Sequence, residues 1–218
     1  MDFQDVVRRR RMVRSFTPEP LAGDQVERIL ANAVRAPSAG FSQGWAFVVL
    51  ESAEDRARFW AAATPTSSPR DLTAWRDGLR RAPLIVLAMA SRDAYLRRYA
   101  EQDKAGARLA TPGAWTEADE TRWPVPYWHV DTGMAALLML QTAVDLGLGA
   151  CFFGIGAPER PRVYAELGVP PEYEATGVLA FGHPDPAAAG AAGSPARRER
   201  KPLDQVVHRG GWTPRAPE

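Results

Sequence analysis

The chain has 218 residues, the length of one large domain, and its net charge of +1 gives no overall attraction to nucleic acid or to an anionic membrane. Hydrophobic residues make up 45% and charged residues 24% of the sequence, so a globular fold with a sizeable core is expected. The single cysteine, Cys151, excludes an internal disulfide and a multi-cysteine metal site, which fits a reducing compartment.

Helices and buried strands alternate in the first half of the chain. Apolar residues at helical spacing, such as Val26, Ile29 and Ala33, predict an amphipathic helix. A short uninterrupted apolar run, such as Ala-Phe-Val-Val-Leu, predicts a strand that is buried on both faces. The predicted elements are a helix at 24–35, a strand at 46–50, a helix capped by Ser52 and Asp55 that runs to about 63, a turn-rich loop at 65–69 and a strand at 84–89.

The second half contains one unusually long helix. Residues 127–146 are apolar on nearly every side, so this helix needs burial all round, in a core or at a subunit interface. Before it, residues 91–126 are rich in charge, proline and aromatic rings, which predicts a surface excursion with one helix. The predicted elements are a helix at about 92–107, the long helix, strands at 150–153 and 177–181, a helix at 160–167, a linker at 184–195 and a basic tail at 197–201.

Strands and helices therefore alternate without internal repeats, and four short strands are few for a doubly wound sheet. The prediction is an α+β fold in which helices wrap a small sheet. The apolar stretch at 130–146 contains Asp131 and Asp145, which argue against a membrane helix. No apolar run follows Arg8 to Arg11, so no signal peptide is predicted, and we expect a cytoplasmic protein.

Two short segments carry the functional signal. The first, Arg-Arg-Met-Val-Arg-Ser-Phe at residues 10–16, supplies three guanidinium groups, which suit bidentate binding of a phosphate. The second, residues 36–45, is a loop of small residues that can bring bare backbone close to a flat ligand. Together they indicate a nucleotide-like cofactor.

The arginine run also has simpler interpretations. Residues 8–11 can be a solvated charge run or a nucleic-acid patch, although the net charge and the lack of a recognisable binding module disfavour nucleic acid. Met12, Val13 and Phe16 favour a segment that is anchored on a core. The loop at 36–45 can equally be a plain connection between a helix and a strand.

Other common sites find no support in the sequence. The glycine pairs at 147–149 and 154–156 lack the order and spacing of a dinucleotide-binding turn. The three histidines are far apart, so no metal site is predicted. Ser38 and Ser42 have no nearby histidine, and Cys151 lies in an apolar strand that is typical of a core.

The order of motifs resembles the FMN-dependent nitroreductase family. The resemblance rests on the arginine motif at 10–16, the Ala-Pro-Ser loop at 36–45, the long helix that leads into Gly-Leu-Gly at 147–149, and the Arg-x-Arg tail at 198–200. It implies a nitroreductase-like three-layer fold with a small mixed sheet, and a homodimer with the long helix at its interface and FMN shared between subunits. It also implies an FMN-binding domain at 1–186 and, at 187–218, a linker and basic arm that complete the site.

The resemblance assigns a role to each matching residue, while flavin N5 rather than a protein side chain carries the chemistry. Arg10 and Arg11 would bind the FMN phosphate and Arg14 would approach the N1/O2 edge of the flavin. Backbone N–H groups at Gly154 and Ile155 would reach N5. The remaining implied cofactor residues are Met12, Pro37, Ser38, Ala39, Phe41, Gln43, Arg198 and Arg200, of which Pro37 to Ala39 would come from the partner subunit.

Two departures from the family pattern leave the substrate open, because Phe41 and Gly44 stand where the family commonly has Asn and Pro. A similar loop with phenylalanine occurs in the oxygen-using dimethylbenzimidazole synthase branch. The expected reaction is a ping-pong transfer of hydride, through flavin N5, from NADPH or NADH to a nitroaromatic or quinone. The expected substrate pocket is lined by Phe41, Trp115, Trp123 and Tyr127. An oxygen-using or deazaflavin-linked enzyme and a flavin-storage protein stay as alternatives.

Overall fold

A four-stranded sheet is the middle layer of the main structural unit. The structure, a computed structural model, describes residues 1–65, 73–104, 123, 125–188 and 199–212. The strand order is β1-β2-β4-β3, and all four predicted strands are confirmed with slightly wider bounds. The strands are β1 (Trp45–Leu50), β2 (Leu84–Ala90), β3 (Gly149–Phe153) and β4 (Glu174–Gly182).

The named strands pair antiparallel throughout. The parallel component expected of a mixed sheet is, among the described residues, a single bridge between Met12 and Ala150. This bridge arises because the segment after the first helix runs beside β3, which is otherwise an edge strand. The arginine motif is thereby attached to the sheet.

Helices cover both faces of the sheet, as the predicted three-layer α+β fold requires. The described helices are α1 (Phe3–Arg9), α2 (Gly23–Ala33), α3 (Ala53–Ala63), α4 (Thr73–Arg80), α5 (Arg92–Ala100), α6 (Tyr127–Asp145), α7 (Arg160–Leu167) and α8 (Leu203–Val206). Helices α2 and α6 pack on one face of the sheet, and α3, α4 and α7 pack on the other.

Strand β2 shows why the sheet is sandwiched in this way. Its seven residues are all buried, and successive side chains point to opposite faces. Leu84, Val86 and Ala88 join the core under α2 and α6, whereas the alternate residues join the core under α3 and α7. Full burial of a leucine or isoleucine stabilises a fold by about 1.5–3 kcal/mol, so both layers are needed.

Two helices and one buried ring were not predicted. Helix α1 begins at its N-cap Asp2, whose carboxylate accepts a hydrogen bond from the Gln4 amide at 2.9 Å. Helix α4 follows the loop predicted at 65–69, most of which lies outside the described residues. Helix α5 begins as predicted but ends at Ala100 rather than near 107, and its Tyr95 is buried rather than part of a surface excursion.

Helix α6 is buried on one face only. Ala135 and Met139 are fully buried under the sheet layer, but Val130 and Leu137 are about two-fifths exposed, at 41% and 45%. The expectation of burial all round is therefore not met within one chain. Within the described part of the chain, no helix is both long enough and apolar enough to span a membrane.

The chain divides into two compact units, Met1–Asp185 and Pro186–Glu218. In the second unit, the ring of His208 stacks on Trp212 with 4.1 Å between centroids. Arg200 is exposed there, whereas Arg198 and most of the linker predicted at 184–195 lie outside the described residues.

Candidate functional site

The arginine motif is held in place by backbone contacts to the sheet. Arg10 caps the end of α1, and the chain then runs beside β3, where the Val13 amide donates to the Ala150 carbonyl at 2.8 Å. The Phe152 amide donates to Met12 Sδ at 3.3 Å, so the Met12 side chain faces the strand. Phe16 is fully buried beyond it, which confirms that the motif is anchored on the core.

The charges of the run fall into two groups. Arg8 lies in the last turn of α1 and pairs with the carboxylate of Asp5. Among the described residues, none places a carboxylate within ion-pair distance of Arg10, Arg11 or Arg14. Three guanidinium groups on one anchored segment are thus available to an anionic ligand.

The Arg14 side chain contacts its own segment and lies close to Cys151 of β3. Its Nη1 donates to the Met12 carbonyl at 3.3 Å. Burial raises the pKa of the Cys151 thiol, and the positive charge of Arg14 acts on that pKa in the opposite direction. Cys151 is 1% exposed in the core below, which confirms its structural role.

The end of β3 offers free backbone donors. The Gly154 and Ile155 amides donate to no other described residue, since the ladder with β4 ends at Phe153. A Cβ at Gly154 would meet no atom within 4 Å, so this position borders open space. The next glycine, Gly156, is covered by the carboxylate of Glu159. Unpaired N–H groups beside open space can bind a ligand acceptor.

The small-residue loop adopts an uncommon backbone conformation. Gly40, Phe41 and Gln43 have φ of 62°, 57° and 49°, in the left-handed region that disfavours residues with a Cβ. Phe41 is 71% exposed. Gly44 allows α5 to approach, because a Cβ there would lie 2.9 Å from the Ser91 carbonyl oxygen. This contact accounts for glycine at the position where the resemblance expects proline.

Aromatic rings pack behind this loop, around Tyr95. Trp123 meets the Tyr95 ring edge-on at 4.9 Å, and the Tyr127 ring is parallel to it at 6.3 Å. These two predicted pocket residues therefore lie together, whereas Trp115 lies outside the described residues. Tyr95 and Tyr99 were missed, because their burial depends on contacts between distant parts of the chain.

The two motifs lie at opposite edges of the sheet. The loop leads into β1, and the arginine segment runs along the outer side of β3, with β2, β4 and β3 between them. Four strand spacings amount to about 19 Å. A single flat ligand near Arg14 therefore reaches a small-residue loop more easily if that loop belongs to a second copy of the chain.

Comparison with known proteins decides the family. The nitroreductase family matches residues 7–183, which include both motifs and all four strands. The chain belongs to the nitroreductase family. The resemblance to this family and the α+β fold that the sequence predicted are thereby confirmed.

Three similar proteins extend this result. The chain is 28% identical to a 5,6-dimethylbenzimidazole synthase of Rhodospirillum rubrum over 219 residues, 95% of this chain and 87% of that protein. It is 27% identical to YdjA of Escherichia coli, named as an NAD(P)H nitroreductase, over 186 residues, 82% of this chain and 86% of that protein. A nitroreductase from Desulfovibrio desulfuricans, crystallised with FMN, superposes with a TM-score of 0.67 at 23% identity, covering 98% of this chain and 99% of that one.

One further residue of this nitroreductase fold was missed by the sequence analysis. The Nη2 atom of Arg76 on α4 is buried without a hydrogen-bond partner among the described residues. Two residues later, Gly78 packs on the backbone carbonyl of Arg14. A buried guanidinium donor is costly to leave unpaired, so Arg76 is a candidate anion ligand near the arginine segment.

Proposed function

We propose that this nitroreductase-family protein is an FMN-dependent oxidoreductase that uses NADPH or NADH to reduce a flat electrophile such as a nitroaromatic or a quinone. The observation that carries the proposal is the anchored segment whose three arginines form no ion pair with a described residue, beside a strand that ends in free backbone donors. An anionic group at one end and a hydrogen-bond acceptor at the other are the features of FMN that such a site binds.

The residues present fit this cofactor. Arg10 and Arg11 bind the phosphate. Arg14 lies four residues after Arg10, about 13 Å from it if the backbone is extended. That separation suits a ligand whose phosphate and ring are joined by a flexible chain. The resemblance also assigns Arg198 and Arg200 to the phosphate, and that assignment stays a prediction. Met12 supports the segment by packing against β3.

The chain's own groups prepare the reactive end. Bound FMN supplies hydride acceptance and donation at N5. The amides of Gly154 and Ile155 donate hydrogen bonds toward that atom, and Arg14 stabilises negative charge at the opposite edge of the ring. Pro37, Ser38 and Ala39 of a second subunit cover the ring and exclude water, with Phe41 and Gln43 at the rim.

A homodimer is proposed because the two motifs lie far apart in one chain and because apolar side chains are exposed on adjacent helices. Phe3 and Val7 on α1, and Val130 and Leu137 on α6, are each more than 40% exposed. Spacings of four and seven residues place each pair on one face of its helix. Such a surface is typical of an interface between subunits.

Leu137→Arg is therefore expected to convert a dimer into monomers that lose FMN, because an unpaired charge in an apolar interface is strongly unfavourable. Sedimentation velocity and the flavin-to-protein ratio measure both effects. Ala165→Arg, at an exposed position of α7 in the opposite layer, is the matched control. It should leave the oligomeric state and the FMN content unchanged. Monomeric wild-type protein with full FMN occupancy would contradict the shared site.

The acceptor is proposed to bind over the flavin ring, against aromatic side chains near the loop. Phe41, Trp123 and Tyr127 are proposed as its walls, because flat electrophiles stack on aromatic rings. Trp115 stays a predicted member of this pocket. NADPH or NADH is proposed to bind first on this same face of the ring and to leave before the acceptor binds. The E. coli relative named as an NAD(P)H nitroreductase supports this choice of donor.

The decisive test of this function is the visible spectrum of the purified protein before and after anaerobic addition of NADPH. We expect yellow protein that loses its absorbance near 450 nm, the oxidised-flavin band, within about seconds, given typical enzymatic turnover. Yellow protein that NADPH and NADH both fail to bleach would favour flavin storage. Colourless protein that does not take up added FMN would contradict the cofactor.

An oxygen-using enzyme is the second candidate. The similarity to a 5,6-dimethylbenzimidazole synthase over 95% of this chain favours it, as does phenylalanine at position 41. Oxygen consumption by the reduced protein, with a flavin product other than FMN and without a nitro acceptor, would select this candidate. Stoichiometric recovery of unmodified FMN would select the reductase.

A further inference from the structure

A buried carboxylate lies directly behind the small-residue loop. Asp131, in the second turn of α6, is 3% exposed. One of its oxygens, Oδ2, accepts hydrogen bonds from Ser38 Oγ and from the Ala39 amide, each at 2.9 Å. Among the described residues, Asp131 forms no ion pair. A buried carboxylate without a cation is costly, so stability alone does not account for its presence.

Ser38 links the Asp131 carboxylate to the far end of the loop through its hydroxyl group. Its hydroxyl has one proton, which goes to Asp131, while its oxygen accepts from the Gln43 amide at 2.8 Å. Ser42 Oγ lies 3.0 Å from Ser38 Oγ, within hydrogen-bond distance. Ser38 Oγ therefore joins the carboxylate to both ends of the turn, and its only proton is not available to a cofactor.

These bonds hold a backbone that would otherwise relax. Phe41 and Gln43 are left-handed although both carry a Cβ, a state that persists only where the surroundings fix it. Phe41 lies two residues and Gln43 four residues after Ala39, the second member of the Ser38–Ala39 pair that Asp131 binds. The direction in which Phe41 projects into solvent thus depends on the Asp131 contacts.

The other side of the turn rests on two tyrosines. A Cβ at Gly40 would lie 2.8 Å from the Tyr99 ring, so the turn and the ring are in close contact. Tyr99 is hydrogen-bonded to buried Tyr95, whose pKa is raised by burial, by that bond and by the nearby negative charge of Asp131. The turn is therefore packed between the Asp131 carboxylate and the rings of Tyr95 and Tyr99.

We propose that Asp131 is a positioning residue, which fixes the Ser38–Phe41 turn in the shape that covers the flavin of a second subunit. This inference rests on the proposed function, since it assigns the turn to an FMN site. Asp131 does not touch the cofactor. It acts through the Ser38 hydroxyl and the Ala39 amide.

Asp131→Asn tests the role, because it keeps the size of the side chain but removes the charge and one acceptor. FMN binding is expected to weaken about tenfold, because hydrogen bonds to a charged acceptor are stronger than those to a neutral amide. The visible circular dichroism of bound FMN should also change, because the weaker bonds to a neutral amide oxygen leave the cover of the ring less ordered. Titration with FMN and the visible spectrum measure both effects.

Thr142→Ala is the matched control. Thr142 is also buried on α6, about three turns away, and its Oγ1 accepts from Asn32 Nδ2 at 2.9 Å. This variant is expected to lower the melting temperature while leaving FMN affinity and the visible dichroism as in wild-type protein. A general weakening of α6 would instead give both variants the same flavin phenotype.

Ser38→Ala covers the case in which Asp131→Asn does not fold, since it removes the hydroxyl link and leaves the bond to Ala39. It should weaken FMN binding in the same direction. Wild-type affinity and dichroism in folded Asp131→Asn, or in Ser38→Ala if the first variant is unfolded, would overturn the positioning role alone. Wild-type protein that binds no FMN overturns the proposed function as well.

Discussion

Arg10→Ala is expected to be purified almost free of FMN and to rebind it about 10- to 100-fold more weakly than wild-type protein. The guanidinium has no carboxylate partner among the described residues, and a charge-assisted hydrogen bond to phosphate contributes about 1.5–3 kcal/mol. The flavin-to-protein ratio after purification and a fluorescence titration with FMN measure the loss.

Arg8→Ala is the control for this prediction. Arg8 belongs to the same basic run, but its guanidinium is engaged with Asp5 on α1. Its FMN content should match that of wild-type protein. Arg10→Lys keeps the charge without the planar fork, so an intermediate affinity is expected.

Full FMN occupancy in Arg10→Ala would contradict the phosphate assignment. The nucleic-acid hypothesis makes the opposite prediction for the pair, because it requires salt-dependent binding that weakens in Arg8→Ala. Comparing the two single variants therefore separates a phosphate site from a general basic patch.

The sheet could be predicted from the sequence because its strands are short apolar runs between turn residues. Strand β2 is buried on both faces, so its composition alone distinguishes it from a surface helix of similar length. Helices α2 and α6 were equally clear, since α2 is amphipathic and α6 is too long for a strand. Family resemblance, rather than pattern, supplied the cofactor hypothesis.

The two missed helices show where local pattern is insufficient. Helix α1 buries only Val6, and its seven residues end in charges that suggested a solvated run. Helix α4 contains Gly78, a residue type that weakens any helix prediction. Both helices depend on packing against the rest of the fold, which short sequence windows do not contain.

The contact between Asp131 and the small-residue loop could not be predicted from the sequence for the same reason. Ser38 and Asp131 are 93 residues apart in sequence, so no spacing rule connects them. In sequence, Asp131 appeared only as an acid that argued against a membrane helix. The left-handed conformation of Phe41 was also hidden, because glycine rather than phenylalanine is the usual signal of that conformation.

Gly78→Ala is expected to lower the free energy of unfolding by about 1–3 kcal/mol and to weaken FMN binding at the same time. A Cβ at this position would overlap the carbonyl oxygen of Arg14, with the Ser15 Cα 3.3 Å away. Backbone atoms cannot rotate aside as a flexible side chain can, so either α4 or the arginine segment must shift. Thermal unfolding and FMN titration report the two consequences.

Gly23→Ala is the matched helical substitution. Gly23 begins α2, and a Cβ there would meet nothing within 4 Å, so stability should stay constant or rise by up to about 1 kcal/mol. If Gly78→Ala were as stable as wild-type protein, the close approach of α4 to Arg14 would be wrong. If it lost stability but kept full FMN affinity, α4 would support the fold without setting the position of Arg14. The combined loss would mean that the backbone contact at Gly78 sets both the packing of α4 and the geometry of the cofactor site.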